Sequence, residues 1–246
     1  NDSLLRSGMV DVKLETYGYD EKSGERRNPW SIDAHVKFKV EKLRLKLVKN
    51  EKGEQRKCDI AYDGERTMVL EGKLGYIQPG RHLPGFHTDR LDIRYWMRFW
   101  NIPLDEIILG DLPFSKSVEL LAEENIKGDL CFRVQATFSN NAKAIFLINA
   151  TKGYRLQESY QYLPDGLLLI VRKMKLTKAG EIWYPRHCDM IIHYYKNGAL
   201  VDTTKTTLDF ENFKPNIPIE DDEFFLNFPS GTLVSDHESD RFYKVP

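Results

Sequence analysis

Histidine and cysteine are the side chains whose spacing most often betrays metal or nucleophile chemistry. His187, Cys188 and His193 lie close together, and His82 and His87 form an HxxxxH in a loop. On a strand, His187 and His193 share a face but stand ~20 Å apart by the rise per residue, and Cys188 points the other way. That is too far for one ion. The loop pair could meet a metal, but a structural role is the plainer reading. The three cysteines, Cys58, Cys131 and Cys188, are scattered without a CxxC pair, so no disulfide framework is expected. No GxSxG elbow, nucleophilic cysteine setting or glycine-rich phosphate loop is present. The acidic pairs Asp221-Asp222 and Glu123-Glu124 read as solvated turn and helix charges. The expectation is a protein that is not an enzyme, with no catalytic residue, no metal and no cofactor.

Charge narrows the partners. The 246 residues carry 36 basic and 37 acidic side chains, a net charge of −1, so the basic excess of a nucleic-acid binder is absent. The alternation Lys37, Lys39, Lys42, Arg44, Lys46 reads as the solvated face of an outer strand. The longest apolar run, Leu167 to Val171, falls far short of the ~20 residues that span a bilayer as a helix.

The chemistry that remains is apolar. The stretch "RYWMRFWN" at 94–101 holds two of the four tryptophans, Trp96 and Trp100. On a helix over 90–101, Arg90, Arg94, Arg98 and Asn101 share one narrow solvent stripe. Leu91, Ile93, Tyr95, Trp96, Met97, Phe99 and Trp100 fill an arc of roughly 240°, well beyond what a surface helix needs. Asp92 falls within that arc as a first-turn acceptor for unpaired amides. A helix this apolar needs cover on two sides, either packed between sheet and loops or facing a partly empty cavity.

The elements that position such a helix are strands. Ile32, Ala34, Val36, Phe38 and Val40 alternate with polar residues, the parity slips at Glu41-Lys42, and Leu43, Leu45 and Leu47 carry on. A β-bulge in one long bent strand gives that pattern. Asp63-Gly64 and Asn197-Gly198 are hairpin turns, and Leu130, Phe132, Val134, Ala136 and Phe138 form another alternating face. Roughly eleven strands joined by short hairpins argue for one antiparallel meander. Helices are expected at about 88–100 and 115–127, the latter capped at Ser115 or Ser117 and stopped by Lys127-Gly128.

Three stretches resemble the LolA-like family of outer-membrane lipoprotein-sorting proteins, in particular its larger bacterial relatives. They are "IAYDGERTMVL" (60–70), "FLINATKGYRLQESYQY" (146–162) and "IPIEDDEFFLNFPSGTLVSD" (217–236). The last, Phe-x-Leu-x-Phe-Pro-x-Gly-Thr and then Val-x-Asp, is the most specific. The resemblance implies a single α+β domain over 1–246, an incomplete β-barrel of about eleven antiparallel strands. Two or three helices, about 88–127, would close its concave side as a lid. It implies a non-enzymatic carrier for a lipid or lipoprotein acyl chains, with a hydrophobic ligand, a lipidated protein or an envelope protein as partner. Tyr95, Trp96, Met97, Phe99 and Trp100 are the expected lid contacts, and Phe38, Val40, Leu45 and Phe132 the expected wall. The start at Asn1 without Met and the resemblance together suggest an exported protein of the periplasm or cell envelope, its signal peptide removed. The alternatives are, first, an envelope scaffold whose cavity its own helices fill and, after it, a metal-dependent hydrolase using the loop of His82 and His87.

Overall fold

Two-residue turns with both residues at positive φ set much of the strand pairing. Lys52-Gly53 (51° and 80°), Lys127-Gly128 (54° and 89°) and Asn197-Gly198 (52° and 77°) all adopt this backbone, whose twist matches that of the flanking strands. The pairs that bracket them, Glu51 with Glu54, Ile126 with Asp129 and Lys196 with Ala199, close each hairpin directly. The computed structural model describes residues 5–20, 23–81, 91–94 and 115–246. Its strands are β1 (Ser7–Tyr19), β2 (Arg26–Lys39), β3 (Lys42–Glu51), β4 (Glu54–Tyr62), β5 (Arg66–Glu71) and β6 (Leu74–Pro79). There follow β7 (Ser115–Ile126), β8 (Asp129–Phe138), β9 (Lys143–Asn149), β10 (Arg155–Tyr162), β11 (Leu168–Ala179), β12 (Ile182–Lys196) and β13 (Ala199–Pro215). A 3-10 turn at Asp221–Phe224, β14 (Leu233–Asp236) and β15 (Arg241–Lys244) complete the series. The hydrogen-bonded order is β15-β14-β6-β5-β4-β3-β2-β1-β13-β12-β11-β10-β9-β8-β7.

The expected α+β class is thereby corrected. Among the described residues there are fifteen strands rather than about eleven, and the second expected helix, 115–127, is the strand β7. Its Leu, Glu and Ala carry helix propensity, a weak preference that pairing with β8 along the whole strand overrides. Lys127-Gly128, read as a helix stop, is the hairpin turn of that pair. Of the first expected helix only 91–94 is described, with Ile93 and Arg94 helical. Tyr95, Trp96, Met97, Phe99 and Trp100 lie outside the described residues, as do His82 and His87. The expected bulge is also absent. Lys39 pairs with Lys42, so Val40-Glu41 is a tight turn between two strands, with Val40 held at φ 50°. A two-residue turn shifts the apolar parity by one, as a bulge would.

The chain forms two compact units. The first holds the start of β1, β2 from Trp30, β3 to β6, residues 91–93, the end of β13 and everything after it. One face of its strands is apolar and buried, with Val10, Val12, Val36, Phe38, Leu43, Leu45 and Ile60 at 0–1% exposure. Ala61, Met68 and Ile77 lie on the opposite face and are buried too, because Leu226, Phe228, Val234 and Val245 pack on them. This is where the Phe-x-Leu-x-Phe-Pro motif goes. β14 runs parallel to β6, and the absence of a Cβ at Gly75 admits Phe228, whose Cε1 would lie 2.8 Å from one.

The second unit holds the end of β1, the first residues of β2, β7 to β12 and β13 through Asp209. Val134, Ala136, Phe138, Ala144, Phe146, Ile148, Leu156, Met174, Cys188, Met190 and Leu208 build its buried face. β7 is the last strand in the order, and its Val118, Leu120 and Leu121 are exposed.

Candidate functional site

In the first unit, the expected wall residues separate. Val36 pairs with Leu45 and Phe38 with Leu43, which puts Phe38 and Leu45 on one face, both 0% exposed. Val40 is 63% exposed in the turn and does not share that face. Gly8 lies against the Phe38 ring, since a Cβ there would meet Phe38 Cζ at 2.7 Å. Leu91 and Ile93 are fully buried. Asp92, expected as a first-turn acceptor, stands immediately before the helical residues Ile93 and Arg94 and is also an ion-pair partner. Its Oδ2 lies 3.0 Å from an Arg81 terminal nitrogen, and its side chain is 3% exposed. Arg94, expected on a solvent stripe, is buried at 4% exposure.

Phe132 belongs to the second unit and stacks on Tyr154, the ring centroids 6.3 Å apart and the planes 11° from parallel. It opposes Ile148, which opposes Leu156. Strand register extends this apolar face across the unit. Ala136, Ala144, Gln161, Ile170 and Ile192 form one row, and Met174, Cys188 and Leu208 part of another. Between them runs a row of different character: Phe146, Ser159, Arg172, Met190 and Thr206. Thr206 Oγ1 lies 3.0 Å from Thr16 Oγ1, both side chains buried. Directly opposed residues in an antiparallel pair point to the same face, with Cβ atoms about 5 Å apart. Polar groups thus sit within an apolar surface.

The opposite face of the same strands carries charge. The Arg133 guanidinium grips Glu124 through Nε (2.6 Å) and a terminal nitrogen (3.0 Å), which holds the Glu124 carboxyl below its usual range. Burial, then the hydrogen bond to Glu158 at 2.6 Å, pushes the Tyr160 phenol up to about 12. His187 lies 2.7 Å from Asp209 and 3.1 Å from Asp189, and His193 contacts Thr203 at 3.3 Å. Among the described residues no three His, Cys, Asp or Glu side chains are grouped to hold a metal ion. All three cysteines are buried, and burial is the largest cause that lifts the Cys58 thiol to about 12.

The lysine alternation is covered from Lys37 to Arg44 rather than solvated, and Lys46 at its end is exposed. Lys37 pairs with Glu223 at 2.9 Å, Lys39 and Lys42 with Asp221 at 2.9 and 3.2 Å, and Arg44 with Asp59 at 2.6 Å. The acidic 3-10 turn therefore lies across β2 and β3, and the hydrogen bonds from Lys39 and Lys42 lower the Asp221 carboxyl. Beside it, Arg44, Lys46, Asp222, Glu223 and Phe225 line a polar notch of about 230 Å³. The charge complementarity of 37–46 and 220–223 was visible in the sequence, but nothing there brought segments this distant together.

No protein-family model matches the chain, and no curated protein does. Solved structures do. A DUF1329 family protein from Desulfovibrio piger aligns over 90% of this chain and 90% of its own, with a TM-score of 0.51 and 13% identity. A LolA superfamily protein from Nitrosomonas europaea aligns over 90% and 91%, at 0.49 and 18%. A protein described as an outer membrane lipoprotein-sorting domain, from Vibrio parahaemolyticus, aligns over 88% and 89%, at 0.46 and 13%. At these identities the likeness is one of fold. The structural neighbours thus include members of the LolA-like family that the sequence resembles, and the DUF1329 protein shares the fold over nine-tenths of both chains.

Proposed function

We propose that the protein is a non-enzymatic binder or carrier of a hydrophobic ligand, a lipid or the acyl chains of a lipidated protein. Its setting is the periplasm or the exported cell envelope. The observation that carries this reading is the apolar face of the second unit, with Phe132, Ile170 and Ile192 only partly buried. Apolar ligand surface laid on such a face gains about 25 cal/mol per Å² removed from water. Tyr95, Trp96, Met97, Phe99 and Trp100 join Phe132 as the proposed ligand contacts. The resemblance of three sequence stretches to LolA-like proteins supports both the ligand class and the compartment.

Native mass spectrometry of protein purified from its own host, together with uptake of a neutral fluorescent apolar probe, tests this reading. Co-purified lipid and probe uptake are the expected results, with Trp96→Ala or Trp100→Ala weakening uptake more than it lowers the melting temperature. A lipid-free protein that takes up no probe overturns it and leaves the self-filled envelope module.

A further inference from the structure

Ser159 is the least expected residue on the apolar face. It is 1% exposed, and its hydroxyl has no hydrogen-bond partner among the described residues. Register gives the direction in which it lies. Ser159 opposes Phe146 on one side and Arg172 on the other, while its neighbours Glu158 and Tyr160 take the charged face. Buried hydroxyls are nearly always satisfied, so one left over calls for an acceptor or donor beyond those the described residues supply. Next to it across the strand pair stands a guanidinium, a fork of five N–H donors matched to carboxylate and phosphate oxygens. Arg172 also has contacts within the protein, and five donors leave room for more than one acceptor. Around the pair the face is apolar: Val134 opposes Phe146, Ile170 opposes Ile192, and Met190 opposes Arg172.

We infer that Ser159 and Arg172 form a headgroup site for an anionic lipid, one carrying a carboxylate or phosphate on a long apolar tail. The Ser159 hydroxyl donates to one headgroup oxygen and the Arg172 guanidinium to another, while the tail lies along Phe146, Ile148 and Phe132. In an apolar surround a charge-assisted pair of this kind is strong, and a neutral headgroup forgoes it. This inference rests on the carrier reading and refines it from any greasy ligand to an acidic one.

The test is competition against the neutral probe N-phenyl-1-naphthylamine by palmitic acid, a lysophosphatidic acid and hexadecanol, at neutral pH and below micelle-forming concentrations. In the wild type at least one of the acids should displace the probe tenfold or more tightly than the alcohol. Which acid leads separates carboxylate from phosphate. Arg172→Gln should collapse that preference to within about threefold while hexadecanol binds as before, and Arg172→Lys should retain part of it. Ser159→Ala should reduce the preference without lowering the melting temperature, because the hydroxyl it removes bonds to nothing among the described residues. Equal affinity for acids and alcohol in the wild type overturns the headgroup site and leaves the carrier reading intact. Failure of all three to displace the probe, or of the probe to bind, overturns both.

Discussion

The Gly8–Phe38 contact makes a sharp test of whether the first unit's apolar face is packing or ligand wall. A Cβ added at Gly8 would lie 2.7 Å from Phe38 Cζ, 3.1 Å from Cε1 and 3.0 Å from the Lys214 carbonyl oxygen. Two of these are sidestepped only if the ring moves, and Phe38 is 0% exposed with Leu43 opposite. Overpacking of this kind costs about 1–3 kcal/mol. Replacing a strand glycine returns about 0.5–1 kcal/mol of chain entropy. Gly8→Ala should therefore destabilise by about 1–2 kcal/mol, a fall in melting temperature of roughly 2–8 °C for a chain of this size. Thermal unfolding followed by circular dichroism measures it. Phe38→Leu alone should cost about 1–2 kcal/mol through the cavity it leaves. Combined with Gly8→Ala it should cost less than the sum, by an interaction energy on the order of 1 kcal/mol. The rescue stays partial because the Lys214 oxygen is backbone and cannot swing aside. A Gly8→Ala protein as stable as the wild type, or strict additivity in the double variant, refutes the reasoning. Either result means the ring has open space beside it, which is what a residue lining a ligand chamber would have.

Two further outcomes follow from the electrostatics. Asp11 accepts hydrogen bonds across two strand pairs, from His35 at 2.7 Å and Asn212 at 2.9 Å, and the His35 bond is the largest cause that lowers its carboxyl below the ordinary range. A depressed carboxylate contributes stability above its unfolded value and loses it as pH falls through the folded one. Asp11→Asn should thus flatten the acid limb of a melting-temperature profile below about pH 4, by no more than about 1 kcal/mol for a pair this exposed; an unchanged limb contradicts it. Cys58, Cys131 and Cys188 are all buried, with Cys58 lifted to about 12, so a disulfide reagent at pH 8 should label the folded protein negligibly and three thiols per chain in denaturant. Rapid labelling of the native protein would show that these sites open.

The sequence made the strands readable where one face is buried and the other wet. Leu130 to Phe138 reads as β8 because that alternation survives in the fold, and Asn197-Gly198 reads as a hairpin because both residues readily take the left-handed backbone that this loop uses. The misreadings share one physical origin: two structures with the same local signature. A lysine-glycine pair ends a helix or turns a hairpin by the same left-handed backbone, and at 127–128 the hairpin prevails. A parity slip at Val40-Glu41 looks alike for a bulge and for a tight turn, and a β-branched Val at φ 50° is a rare turn residue. The closing motif was recognisable as a signature but not as the cover for the far face of β4 to β6, since that depends on β14 joining β6 in parallel. Ser159 and Arg172 were invisible as a pair. Thirteen positions separate them, and only the register of β10 with β11 opposes them.

The two units spend polar residues differently on their buried faces, and that difference is the strongest argument for locating recognition in the second. Along the first unit's face, Val10, Val12, Leu14, Ile32, Ala34, Val36, Phe38, Leu43, Leu45, Leu47 and Ile60 are apolar, and the one buried hydroxyl named on it among the described residues, Thr67, donates to the Gly80 carbonyl at 2.8 Å. Such a face is complete when packed; it asks for nothing further. The second unit interrupts an equally apolar face with Ser159, Arg172, Thr206 and Thr16 in adjoining strands. The threonines answer each other. Ser159 has no such answer among the described residues, and an unsatisfied buried hydroxyl costs about 1–3 kcal/mol that an alanine or valine would recover. Stability alone therefore favours an apolar residue at 159, and a residue kept against stability in the middle of an apolar face is best explained by what it contacts when a ligand is present.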